Sequence, residues 1–152
     1  MSYQIITLNL LNPLFYASCS VCEPFDYREE NGEVLFHFSL DKARANDFEP
    51  DKSRYLPPPV FSGCVVTEAQ TETEKEADKQ AEGKPLGELP GGYYLFAQKR
   101  EIMSESDIVD MAIDIQQEGL WQRLTLGREL YLRYLFEDGK SVTQLFRQIV
   151  ES

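Results

Sequence analysis

Residues 89–149 spell out strand, helix, strand, turn and strand in that order, and no other stretch constrains the fold as tightly. Ser104 and Ser106 each offer an N-cap, and Glu105 and Asp107 put negative charge where the helix dipole favours it. From about Ser106 onward, Ile108, Met111, Ala112 and Ile115 recur at helical spacing on one stripe. Gly119 stands where a C-terminal cap glycine is expected. Beyond it the period changes to two. Leu130, Leu132, Tyr134 and Phe136 share one strand face, and Glu129, Tyr131, Arg133 and Leu135 the other. Asp138-Gly139 is a hairpin pair. The return strand carries Thr143, Leu145, Arg147 and Ile149 on one face, with Gln144, Phe146 and Gln148 opposite. A strand, one helix and a hairpin leave one apolar side open. A second half is expected to cover it, with a ligand cleft between the two.

The first half is less regular. Residues 3–10 and 14–21 are expected to be extended, with Pro13 forcing a break between them. Residues 33–40 alternate like a strand behind the turn pair Asn31-Gly32, and residues 60–67 form a further strand. Residues 41–47 can supply a short helix. Residues 68–87 are rich in Glu, Lys and Thr and almost free of large apolar side chains, so a mobile polar loop is expected there. The strands at 14–21 and 60–67 are candidates to pair across a homodimer interface; a monomer is the alternative.

With 42% apolar and 12% aromatic residues, 152 residues suffice for one domain with a real core. Fifteen basic against 26 acidic side chains give a net charge of −11, which disfavours direct nucleic-acid binding and anionic membrane surfaces. No apolar run has the length of a membrane span, and the N-terminus lacks a basic flank, so a cytoplasmic location is expected. Three cysteines, an odd number, fit a reducing compartment better than a disulfide framework.

The segment Leu89-Pro90-Gly91-Gly92-Tyr93-Tyr94-Leu95-Phe96 resembles the strand that opens the second repeat of GyrI-like effector-binding domains, the SHS2-type family of gyrase-inhibitory and ligand-sensing proteins. That resemblance implies an α+β fold of two strand-helix-hairpin repeats. They would form an antiparallel sheet with helices on one side and bind small molecules in the cleft between them. The division would be a degenerate first repeat over 1–67, the polar loop over 68–88 and the second repeat over 89–152. The first repeat departs from the pattern, since nothing in it supplies a long amphipathic helix. In the family the last strand often places a glutamate in the cleft. The nearest match here is Gln144, whose neutral amide offers hydrogen bonds without charge.

Candidate ligand-binding residues are Tyr94, Phe96, Trp121, Tyr131, Arg133, Tyr134 and Gln144. Tyrosine and tryptophan join a large apolar surface to a hydrogen-bonding tip, which suits a small-molecule pocket. Tyr131 and Tyr134 fall on opposite strand faces, so at most one lines a given cleft. Trp121, just past the helix, is the strongest pocket candidate. Arg133 can pair with Glu129 or Glu137, or hold an anionic ligand bidentately. Cys19, Cys22, His37 and Cys64 have the residue types of a zinc set, but residues three apart on a strand point to opposite faces, and buried cysteines are the plainer expectation. No hydrolase, nucleotide-loop or metalloprotease motif is present, and His37 alone could act as a general base. The expectation is reversible binding of a small organic ligand, without cofactor, and with any regulatory output passing through a protein partner. The alternatives are an acidic protein-interaction or inhibitor module and a small hydrolase on the same cleft.

Overall fold

The computed structural model describes residues 4–18, 23–28, 32–65 and 86–150. It is an α+β fold built on one eight-stranded antiparallel sheet. The strands are β1 (Ile6–Leu10), β2 (Leu14–Ser18), β3 (Val34–Ser39), β4 (Phe61–Val65), β5 (Leu86–Leu89), β6 (Gly92–Lys99), β7 (Leu126–Glu137) and β8 (Lys140–Ile149). The single-turn helix α1 (Lys42–Ala45) and a 3-10 turn (Lys52–Arg54) lie between β3 and β4, and the long helix α2 (Glu105–Trp121) lies between β6 and β7.

The strand order is β1-β6-β8-β7-β3-β4-β2-β5. Only Leu11, Asn12 and Pro13 join β1 to β2, although six strand-to-strand steps separate them in the sheet. Three residues allow a span of at most about 14 Å, whereas six steps in a flat sheet cover about 29 Å. The sheet must therefore roll so that its two ends approach. The connection Pro90-Gly91 between β5 and β6 crosses the same gap, and the Tyr94 hydroxyl donates to the Pro90 carbonyl at 2.5 Å beside it. Tyr16 of β2, Leu35 of β3, Leu89 of β5, Tyr94 of β6, Tyr131 of β7 and Phe146 of β8 form one buried cluster. Because it joins strands from both ends of the order, that face is the inside of the roll.

The outer face of β3, β6, β7 and β8 packs against the helices. Val34, Phe36, Leu95, Leu132, Tyr134 and Leu145 meet Ile108, Met111, Ala112 and Ile115 of α2 there. The expected helical stripe is thus the buried one. Ser104 caps α2, its hydroxyl accepting from the Asp107 amide at 3.2 Å. Arg147 sits fully buried in this layer. It donates to the carbonyls of Gly127 and Ala45, each at 2.7 Å, to Gln116 Oε1 at 2.7 Å and to the Tyr55 hydroxyl at 3.2 Å. Burial lowers its pKa, opposed by Tyr55. The guanidinium thereby ties the connection after β3 to both α2 and the sheet.

Several expectations are corrected. Residues 89–96 are not one strand. Pro90 and Gly91 break them into the end of β5 and the start of β6, which pair with β2 and with β1 and β8 respectively. Part of the expected polar loop, Leu86 to Glu88, belongs to β5, while 68–85 lie outside the described residues. Gly119 is inside α2, where a Cβ would come within 2.8 Å of the methyl carbons of Leu126 and Leu95. The helix instead runs to Trp121 with Gln122 as its cap, and Arg123 takes the left-handed conformation with φ 60°. The strands expected to pair across a dimer, β2 and β4, are both paired on either side within the sheet, whose edges are β1 and β5. Cys64 is in a disulfide, so it is neither the free buried thiol nor the thiolate ligand of a zinc set. Cys19 and Cys22 lie outside the described residues.

Candidate functional site

Register assembles the site on the inner face. In antiparallel pairing, residues opposite one another point the same way. His37 of β3 pairs with Tyr131 of β7, Tyr131 with Phe146 of β8, and Phe146 with Phe96 of β6. These four rings make one row across four strands. Their contacts are close: His37 stacks on Tyr131 at 4.5 Å and 20°, and Phe96 lies 4.8 Å from Phe146. Tyr94, two residues before Phe96, meets both Tyr131 and Phe146 edge-on at 6.0 and 5.8 Å. Edge-on and offset geometries are those the ring quadrupoles favour.

The next row is polar. Leu35 pairs with Arg133, Arg133 with Gln144 and Gln144 with Gln98. Gln144 bridges the two ends: its Nε2 donates to Gln98 Oε1 at 2.9 Å, and its Oε1 accepts from Arg133 Nη1 at 3.1 Å. Arg133 donates through Nε and Nη2 to Glu33 Oε2 at 3.2 and 2.9 Å, and the Tyr16 hydroxyl donates to the same oxygen at 2.6 Å. Burial pulls the Arg133 pKa down, but Tyr16 and Glu33 outweigh it and the net direction is upward. Burial raises the Tyr16 and Tyr131 hydroxyls, so both stay neutral donors at ordinary pH. The Arg133 and Glu33 side chains remain 18% and 23% exposed, which makes this a pair at the rim rather than in the core.

Beyond the ring row, His37 Nε2 meets Glu129 Oε2, and Ser39 Oγ donates to Glu129 Oε1 at 3.3 Å. A carboxylate thus fixes the ring on one side and stacking on Tyr131 fixes its plane. Leu8, Leu10, Leu14, Phe61 and Phe96 border the whole cluster as partly buried apolar side chains. The inner face therefore has an aromatic floor, an apolar rim and a hydrogen-bonded polar row.

Five of the seven candidates, Tyr94, Phe96, Tyr131, Arg133 and Gln144, come together here. Tyr134 does not: it faces the helix layer, stacked on Tyr27 at 4.4 Å and 4°. Trp121 does not either. It is the last residue of α2, 78% exposed, in a separate groove with Phe48, Leu120 and Arg123. Arg133 pairs with Glu33, not with Glu129 or Glu137. His37 contacts the Glu129 carboxylate. Sequence reasoning missed Tyr16, Glu33 and Gln98 and gave Glu129 only as a partner for Arg133; the partners these residues find lie far off in the sequence. Phe146 could have been found, because period two already places it on the face of Gln144.

Among the described residues no group of His, Cys, Asp and Glu is arranged to hold a metal ion, and no helix is long and apolar enough to cross a membrane. The sequence matches no protein-family model, and comparison with curated proteins returns no relative.

Proposed function

We propose that this chain reversibly binds a small, partly apolar organic molecule on the inner face of the rolled sheet, in the manner of the GyrI-like effector-binding domains it resembles. The observation that carries the reading is the continuous row His37-Tyr131-Phe146-Phe96 beside the polar row Arg133-Gln144-Gln98. An apolar ligand body would lie on the rings while the polar row meets a carbonyl, carboxylate or hydroxyl. Arg133 is neutralised by Glu33, so charge selection is weak and hydrogen bonding dominates. A partner protein would carry any regulatory output.

The test is a thermal-shift screen against a diverse compound set, because a ligand that binds only the native state raises the melting temperature. Compounds that shift the wild type are expected to lose their shift in both Phe96→Ala and Gln144→Leu. A wild type that responds to nothing, or a shift that survives both substitutions, sinks the reading and leaves an acidic interaction module as the better account of the −11 charge.

A catalytic reading has one observation in its favour, the His37–Glu129 pair with Ser39 on the second carboxylate oxygen. A histidine oriented by a carboxylate is the arrangement of a general base. Hydrolysis of an activated ester that disappears in both His37→Gln and Glu129→Gln would support it, and unchanged turnover in either would end it.

A further inference from the structure

Trp121 is left unused by the inner-face site, and its surroundings are held in place from two sides. It is the only tryptophan of the chain, and it lies 78% exposed at the end of α2. Phe48, 50% exposed, lines the same groove of about 550 Å³, together with Leu120 and Arg123. Both walls are pinned. Gln117 Nε2 donates to the Phe48 carbonyl at 2.8 Å, and Gln116 Nε2 holds the carbonyls of Arg44, at 2.8 Å, and Asp47. On the other side the Arg123 amide donates to the Leu120 carbonyl at 3.1 Å and the Leu124 amide to the Gly119 carbonyl at 2.9 Å. The backbone that carries the two large rings is thus held at the surface, and the rings lie outside both buried clusters.

Arg123 supplies the polar element. Its φ of 60° is a conformation glycine adopts most easily, and this is the position after the cap where glycine is usual. The chain keeps an arginine there instead. Among the described residues its guanidinium makes no ion pair, in a molecule of net charge −11. Among the described residues the lining, Phe48, Leu120, Trp121 and Arg123, contains no acid. Two exposed aromatic side chains beside a guanidinium that pairs with no described acid are complementary to a flat apolar body ending in a carboxylate.

We propose that this groove is a second binding site, for a small planar organic anion of the aromatic-carboxylate class, lying against Trp121 and Phe48 with its carboxylate on Arg123. It shares no residue with the inner-face site and stands or falls independently of it.

The single tryptophan gives a single reporter. In a nitrogen-15 correlation spectrum of the full chain, benzoate is expected to move the Trp121 indole N–H signal saturably. Benzamide, its neutral isostere, should bind about tenfold more weakly. Arg123→Gly should keep a folded spectrum, since glycine is the easier occupant, and lose the benzoate preference; Arg123→Gln serves the same purpose if the glycine variant does not fold. Non-saturating shifts, equal affinity for benzoate and benzamide, or an unchanged benzoate response in the Arg123 variant would each overturn the proposal.

Discussion

Among the described residues Arg147 heads the fully buried side chains by size, and it faces four acceptors without a carboxylate among them. Arginine stays charged in proteins, so the four acceptors must carry the cost of its burial. Replacing it by methionine fills the volume but takes the side-chain donor from the Gly127 and Ala45 carbonyls, while Gln116 Oε1 keeps only the Tyr55 hydroxyl. Arg147→Met is expected to cost about 2–4 kcal/mol, since two buried carbonyls lose their donor at about 1–3 kcal/mol each. Arg147→Lys should recover only part, because it lacks the planar fork. Urea denaturation of the three proteins measures this. A methionine variant within error of wild type would show that the network is incidental. The sequence placed Arg147 correctly on the face of Leu145, but that face reads as apolar. Nothing near Arg147 in the chain announces Tyr55, Gln116 or Ala45, which lie 92, 31 and 102 residues away.

At the scale of elements, local patterns were legible wherever local physics decides. The Ser104 cap, the buried stripe of α2, the alternation of β7 and β8 and the turn at Asp138-Gly139 all stand as read. Asp138 and Gly139 have φ of 52° and 77°, the double left-handed geometry that matches strand twist. Gly139→Val should therefore destabilise the hairpin by about 1–2 kcal/mol through backbone strain alone, since no atom would crowd the new Cβ. Chemical denaturation checks it, and an unchanged midpoint would mean that the turn relaxes into another type. Gly119 shows where local reading fails. A glycine near a helix end signals a cap, yet here it signals close approach of α2 to Leu95 and Leu126. The split of residues 89–96 fails for the same kind of reason. Composition favours one strand, whereas the chain must cross between the two ends of the sheet at Pro90-Gly91.

The whole molecule holds its tyrosines in a way that fixes its response to alkali. Burial pushes Tyr55 and Tyr94 from the usual 10.0 up to about 12, and raises Tyr16 and Tyr131 as well. Below about pH 10 both folded and unfolded chains keep these protons. Above it the unfolded chain releases protons that the folded chain retains, so stability falls as pH rises toward 12. Melting temperatures across that window should drop steadily, and Tyr94→Phe should begin lower but fall less steeply. A flat profile would mean that these hydroxyls reach water in the folded state. The same roll that buries the tyrosines assembles the inner face. Sequence by itself determined the α+β class, the cap and stripe of α2, the terminal hairpin and which residues of each strand share a side, because these depend on backbone period and local hydrogen bonding. Only the tertiary structure decided that eight strands curl until β1 and β5 approach, that Tyr131, Phe146 and Phe96 align, that Arg133 takes Glu33 and that Trp121 stands apart. Those outcomes depend on strand order and on residues far apart in the chain, and neither is encoded in any single segment.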